Sequence, residues 1–345
     1  MMKKRILTGH RPTGPRHIGH LVGTLETWAR LQDTHECFFL VADLHVLMTN
    51  YRPEHMQENI LQMMADWMAA GINPNRSTIV LQSIIPEHSQ LALLFGMLIT
   101  VSRLERVPTF KEQTRELRLQ PSTGLLIYPV LQAADILLYK AQIVPVGEDQ
   151  LPHIELARET ARRFNQTFGK TFPEPKPLLS DAPRLPGIDN RTMHTSYGNA
   201  IYIRDTPEET TRKVMSMYTD PTRIHPTDPG HVEGNPLFAL MDVFHKDKGE
   251  LAELKARYAA GRVGDVEVKQ LLANSLNEYL APLRERRAEL IARPRLLREV
   301  LYSGTVKAKF EAQRTLEEAY EKMGLLHSQS FSEQVLGNNI PGIFG

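Results

Sequence analysis

Three things are scarce in this chain of 345 residues: cysteine, net charge and uninterrupted apolar sequence. The single cysteine, Cys37, sits in the apolar run CFFLVAD. One thiol builds neither a disulfide framework within the chain nor a thiolate metal cluster, so it reads as a small buried hydrophobe. Lysine and arginine total 41 against 40 acidic residues, a net charge of +1. That argues against a protein that grips nucleic acid by bulk charge, though not against a local basic face. The longest strongly apolar run, LALLFGMLITV at 91–101, is too short to span a bilayer. The start, MMKKRILTGHRPTG, has basic residues but no apolar stretch of the kind a secretory signal needs. The expectation is a cytoplasmic protein without a membrane segment. Two phosphate fingerprints are also missing, GxGxxG and GxxxxGK[ST], which weakens nicotinamide chemistry and P-loop phosphoryl transfer.

What is present is an alternation. Short apolar runs at 4–9, 37–43, 77–83 and 142–150 have the look of strands buried on both faces. Between them lie helical periodicities at 16–32, 53–71, about 87–103 and 125–140, the last carrying Pro129 as a kink, and at 151–169. A charged stretch, 106–124, reads as a connection, and the proline-rich 172–190 as a linker. From Thr206 strand signals vanish, and helices are expected at 206–218, 235–245, 248–260, 264–289, 294–303 and 305–325. The fold class is therefore α/β: a Rossmann-like parallel sheet domain with right-handed crossovers, followed by an all-helical C-terminal domain. The division is 1–190, a loop and linker at 191–205, and 206–345, with a polar tail from 327. In open parallel sheets ligands bind beyond the carboxyl ends of the strands, so residues 8–20, 42–50, 83–88 and 146–153 are the ones to inspect.

Those segments carry three polar constellations. TGHRPTGPRHIGHLVG (8–23) runs from a strand end through a glycine- and proline-rich loop into a helix that opens on His17-Ile18-Gly19-His20. A helix start offers free N–H groups, Gly19 permits close approach, and histidines at i and i+3 share a face, so a phosphate site is one reading. Two exposed histidines on an ordinary helix is the other; a metal site would need further ligands. VPVGEDQLPHIELARE (144–159) ends a strand on Gly147 and presents Glu148, Asp149 and Gln150, suited to ribose hydroxyls or an ammonium group, or simply to capping a helix. In YPVLQAADILLYK (128–140), Asp135 interrupts an apolar helix. A buried carboxylate needs a partner, either a structural arginine or a ligand donor.

Together, HIGH at 17–20 preceded by RPTG, then LQAADIL, then VPVGEDQ..HIELARE on an alternating α/β domain resemble the class I aminoacyl-tRNA synthetases, within them the tryptophanyl branch. SRLERVPTFKE (102–112) and RKVMSMYTDP (212–221) are similar to the same family, and the likeness runs from about residue 4 to about 325. The resemblance implies attack of the tryptophan carboxylate on the α-phosphorus of ATP, release of pyrophosphate, and transfer of the acyl group to tRNA(Trp). It implies that Asp135 accepts the indole N–H, flanked by Gln132; that Tyr128 and Gln150 bind the ammonium group; and that His45 lies near the carboxylate. Leu7, Gly9, Ala42, Val144 and Val146 would line the tryptophan pocket. For ATP the matching positions are Arg11, Pro12, Thr13, His17, Gly19, His20, Gly147, Glu148, Asp149, Leu185 and Met193, with Lys111 reaching the outer phosphates. A Mg2+ ion would bridge phosphate oxygens, with no metal site of the protein's own. The resemblance further implies a homodimer through segment 85–140, and tRNA contact by the C-terminal helices with their basic clusters at 282–299 and 307–314.

One departure stands out. Where the family's closing loop reads KMSKS, this chain has Thr192, Met193, His194, Thr195 and Ser196. Thr192, Thr195 and Ser196 thus hold positions counted among the catalytic ones, yet both lysines are gone. Arg11, Arg191, His194, Arg115 and Arg118 are candidates to make up the charge. Two readings follow: a working tryptophan–tRNA ligase with modified ATP handling, or an impaired relative that binds but activates poorly.

Overall fold

The fold was analysed in a computed structural model that describes residues 3–48, 54–117, 121–180, 182–220, 223, 225 and 227–326. Five parallel strands, β1 (Arg5–His10), β2 (Glu36–Val41), β3 (Ser77–Leu81), β4 (Ile143–Val146) and β5 (Lys176–Leu179), lie in the order β3-β2-β1-β4-β5. β1 is central: Leu7 pairs with Phe38 on one side and Ile6 with Ile143 on the other. Strand order reverses between β1 and β4, which creates a crevice at their carboxyl ends.

The helices are α1 (Ile18–His20), continued through a π-helical turn (Leu21–Leu25) into α2 (Glu26–Leu31); α3 (Met56–Ala69); α4 (Glu87–Gly96); α5 (Val101–Glu105); α6 (Pro108–Leu117); α7 (Thr123–Leu138); and α8 (Leu151–Phe168). Beyond β5 come α9 (Pro207–Met215), α10 (Pro236–Phe244), α11 (Lys248–Ala259), α12 (Asp265–Ile291) and α13 (Pro294–Met323). None of the described helices is long and apolar enough to cross a membrane.

Two apolar cores flank the sheet. One packs Trp28, Phe39, Met63 and Trp67 against Leu240, Leu272 and Leu276 from the helical half. The other joins Phe38, Leu91, Phe95, Leu137 and Phe164 to Ala308 and Ala312 of α13. The apolar alternation of the sequence thus buries both sheet faces, as parallel sheets require.

Four expectations need correction. Residues 108–117 are helical rather than a connection. The proline-rich 172–190 contains β5, an edge strand; Pro177 sits in it because only β4 pairs with it, leaving one side free of ladder bonds. Positions 294–303 and 305–325 form one helix through Gly304. That glycine is a packing residue: a Cβ there would lie 2.2 Å from the Ile79 carbonyl oxygen. Thr305 Oγ1 accepts the Leu81 amide at 3.0 Å, so α13 covers the open edge of β3. The expected loop and linker at 191–205 carries an isolated bridge, Tyr202 to His17, flanked by Ile18 N to Ile201 O and Ile203 N to Arg16 O. The expected tail from 327 lies outside the described residues.

Candidate active site

The crevice at the carboxyl ends of β1 and β4 opens into a cleft of about 570 Å³. Its lining gathers Leu7, Gly9, Arg11 and Thr13 from β1 and its loop, His17 and His20 from α1, and Ala42 and His45 after β2. Tyr128, Gln132 and Asp135 come from α7, Val144, Val146 and Gly147 from β4, Asp149 and Gln150 from the turn before α8, and Thr195 from the loop beyond β5. These residues span most of the chain, yet the parallel sheet delivers them to one end.

Asp135 is almost wholly buried in α7. No arginine holds it. His45 Nε2 lies 2.8 Å from Oδ2, His88 Nδ1 lies 2.6 Å from Oδ1, and Gln82 Nε2 donates to both oxygens at 2.9 Å. His88 passes the order outward, its Nε2 accepting from the Tyr139 hydroxyl at 2.8 Å. Burial pushes the Asp135 carboxyl up, but the donors on His45 and His88 outweigh it and hold the acid well below the usual carboxylate range. The result is a fixed, charged acceptor in an otherwise apolar helix. His45 therefore sits on Asp135 rather than standing open for a substrate carboxylate.

Beside it lies a polar group around Tyr128. The Tyr128 hydroxyl meets Thr109 Oγ1 and, at 3.0 Å, His153 Nε2. His153 Nδ1 is 3.2 Å from Gln150 Oε1, an acceptor only, so that nitrogen carries the proton and Nε2 receives the hydroxyls. Gln132 Nε2 also donates to Gln150 Oε1, at 3.3 Å. Burial lowers His153 to about 4.

At the start of α1 the two histidines of HIGH cap each other. His17 Nδ1 accepts the His20 amide and His20 Nδ1 accepts the His17 amide, both at 3.3 Å. Since each Nδ1 accepts, each proton resides on Nε2, leaving a donor for an anion. Burial, then the nearby Arg16 and His194, lower His17 to about 3. Burial and the surrounding His17, His10 and Arg16 push His20 far below its usual value. Both imidazoles are neutral donors at neutral pH. Gly19 serves this arrangement instead of lining the cleft: a Cβ there would press on His17 Nδ1 at 2.9 Å.

Several expected residues lie off the cleft lining: Pro12, Glu148, Leu185, Met193, Lys111 and Thr192. Leu185 and Met193 are buried, joined by Met193 N to Leu185 O at 3.0 Å. Glu148 is exposed and reaches Arg184. Lys111 is exposed on α6. The side chains of Ser196 and Arg115, and Arg118 altogether, lie outside the described residues. The loop 192–199 is stapled by Asn199, whose Oδ1 accepts the His194 amide at 2.9 Å and whose Nδ2 donates to Asp189 Oδ1 and the Thr192 carbonyl. Arg191 is turned to Asp189 at 2.6 Å and over the Tyr197 ring. Of that loop, His194 and Thr195 reach the cleft. Sequence reasoning missed Gln82 and His88, which follow β3, His10 at the end of β1, Arg16 in the loop after it, and His153 in the first turn of α8.

A five-stranded parallel sheet with a mutually capped HIGH motif at its switch point defines a nucleotide-activating synthetase of class I. The family model for tRNA synthetases class I (W and Y) matches residues 2–281, and the chain belongs to that family. It is 48% identical to a tryptophan–tRNA ligase of Treponema pallidum over 326 residues, 93% of this chain and 97% of that one. It is 48% identical to a tryptophan–tRNA ligase of Chlamydia caviae over 332 residues, 94% of this chain and 96% of that one. A crystal structure of tryptophanyl-tRNA synthetase from Campylobacter jejuni, complexed with ADP and tryptophan, is 33% identical with a TM-score of 0.85. It covers 93% of this chain and 100% of that one.

Proposed function

We propose that this chain is a tryptophan–tRNA ligase that activates tryptophan with ATP and transfers it to tRNA(Trp). The observation that carries the reading is Asp135, a carboxylate held charged beside a pocket of Leu7, Ala42 and Val144. Tryptophan has one polar atom on its ring, the indole N–H, and a fixed buried acceptor selects for it. A site built to bond a substrate N–H rejects analogues lacking it by about 10⁴ in favourable cases. Of the donors on Asp135, His45 is the one that also lines the cleft, so the indole takes its place on Oδ2. The freed imidazole then stands beside the substrate carboxylate. Gln132 flanks the ring, while Tyr128 and Gln150 receive the ammonium group.

In the first step a carboxylate oxygen forms a bond to the α-phosphorus, the bond to the bridging oxygen of the β-phosphate breaks, and pyrophosphate leaves. The nucleophile is already an anion, so no general base is required. The chain's contribution is position and charge stabilisation. His17 and His20 donate from Nε2 to phosphate oxygens, Thr13, Gly147 and Asp149 border the nucleotide, and Arg11 stands at the rim. The described residues include no group of three or more His, Cys, Asp or Glu side chains able to hold a metal. Magnesium accompanies the nucleotide, as the Mg2+ complex of ATP, and belongs to that substrate. Thr192, Thr195 and Ser196 belong to the closing loop, and Lys111 lies on α6. In the second step the 3′-terminal ribose of tRNA takes the acyl group.

The functional division remains 1–190 for catalysis, 191–205 for the closing loop and 206–345 for the anticodon arm. Segment 85–140 is the face for a second copy. It exposes Leu93, Met97, Val101 and Ile127. The place of work is the cytoplasm, where ATP and tRNA meet. The reading as an impaired relative has no support in the comparisons. The test is aminoacylation of a tRNA(Trp) transcript with tryptophan and with tyrosine. Tryptophan alone should be esterified; equal charging by both, or by neither, would refute the assignment.

A further inference from the structure

The triphosphate of ATP brings about four negative charges, and the cleft must answer them. Among the described residues its lining contains no lysine, and its arginines are Arg11 and Arg16. His10, His17 and His20 are held neutral by burial. The loop at 192–199 brings His194 and Thr195 to the lining but no permanent cation.

Arg16 is unusual among these groups. It immediately precedes the HIGH motif and is 5% exposed. Its Nη2 donates to the carbonyls of Gly14 at 2.7 Å and Arg11 at 3.3 Å, while its Nε has no partner. The carboxylate that acts on it is committed elsewhere: Asp66 takes the Arg16 backbone amide at 3.0 Å but forms its ion pair with Arg287. Two guanidinium groups thus share one buried carboxylate, and a full positive charge is left beside the cleft. A desolvated cation without a counter-ion is costly. Burial accordingly lowers Arg16 to about 10, with Asp66 only partly offsetting it.

We propose that Arg16 is a phosphate ligand in this cleft, supplying to the outer phosphates of ATP and to the departing pyrophosphate a charge that the loop at 192–196 lacks. The inference rests on the reading that the cleft takes ATP. It makes Arg16 the built-in counter-charge of the site, carried by the loop between β1 and α1 instead of by the loop at 192–196. The guanidinium is planar and forked, so it can serve two phosphate oxygens at once.

The experiment compares ATP and AMP binding, by calorimetry without tryptophan, for the intact chain, Arg16→Met and Arg16→Lys. AMP lacks the outer phosphates. Arg16→Met should weaken ATP by at least about tenfold while leaving AMP within about twofold, and slow tryptophan-dependent pyrophosphate exchange by about 10²-fold. Arg16→Lys should fall between. Adding Thr192→Lys and Thr195→Lys to Arg16→Met should recover most of the exchange, because cations would again face the phosphates. Equal weakening of ATP and AMP, or no recovery by the added lysines, would make Arg16 a clip for the loop and overturn the proposal. Unchanged ATP affinity would overturn it too. An intact chain that binds neither nucleotide would instead overturn the reading of the cleft, and Arg16's role with it.

Discussion

Gln82 Nε2 lies 2.9 Å from both oxygens of Asp135, so an amide at the end of β3 bridges a carboxylate in the middle of α7. With His88 behind and His45 in front, the acid is fixed before any ligand arrives. Replacing Asp135 by Ala should abolish tryptophan-specific binding, a loss of about 10²-fold or more. Calorimetry reads this directly, and unchanged tryptophan affinity would refute the assignment. The variant should also lose about 1–3 kcal/mol of stability, because buried donors on His88 and Gln82 lose their acceptor.

His17 has two jobs that can be separated. As cap of α1 its Nδ1 accepts the His20 amide; as phosphate donor it uses Nε2. His17→Ala should cost about 1 kcal/mol in denaturant unfolding and slow exchange about 10²-fold. His17→Asn keeps a capping acceptor, so it should recover the stability but not the rate.

Acid should destabilise the chain in a defined window. His17 is lowered to about 3 and His153 to about 4, both by burial. Their unfolded values lie near 6.5. Below about 6.5 the unfolded state binds protons that the folded state refuses, so stability present above that pH is lost as pH falls toward the folded values. Each histidine contributes up to about 1.4 kcal/mol per pH unit in that window. Melting temperature measured between pH 7.5 and 4 should fall monotonically; a flat profile from 6.5 to 5 would contradict the burial argument.

Arg287 of α12 and Asp66 of α3 form a buried ion pair that ties the helical half to the sheet half. Arg287→Met removes the ion-pair partner of Asp66, leaving that buried carboxylate with the Arg16 amide and the partial influence of the Arg16 charge, and should cost about 3 kcal/mol in urea unfolding. Adding Asp66→Asn should recover part of that loss; strict additivity of the two would contradict the pairing.

Gly304→Ala tests the covering of the β3 edge. The new methyl would meet the Ile79 carbonyl, so α13 must shift, at about 1–3 kcal/mol. In an exposed helix the same change would stabilise, so the sign of the measured difference decides.

Much of this was legible in the sequence because burial on both faces favours apolar runs: β2 carries CFFLV, and β1, β3 and β4 carry the shorter IL, IVL and IVPV. β5 was not, since Lys176-Pro177-Leu178-Leu179 is an edge strand half open to solvent and carries a proline. Helix 108–117 was hidden by its charge: TFKEQTREL offers few apolar positions to count. Gly304 looked like a break because propensity is local, whereas its reason is the backbone of a strand more than two hundred residues away. Of the site residues that carried motif signals, His17, His20, Tyr128, Asp135 and Gln150 came to one cleft, while Pro12, Gly19, Glu148 and Lys111 lie off its lining. Of the groups that hold them, Gln82 and His88 carry no motif, and His153 opens HIEL without its partner being readable there; their roles depend on distances that only the fold supplies. Arg16 was passed over because it stands beside a motif without belonging to it.

The most direct measurement is ATP–pyrophosphate exchange by the intact chain, with tryptophan, with tyrosine and with neither. Exchange that requires tryptophan and is absent with tyrosine is the predicted result. Exchange supported equally by tyrosine, or none with any amino acid under conditions where ATP binds, would contradict the account.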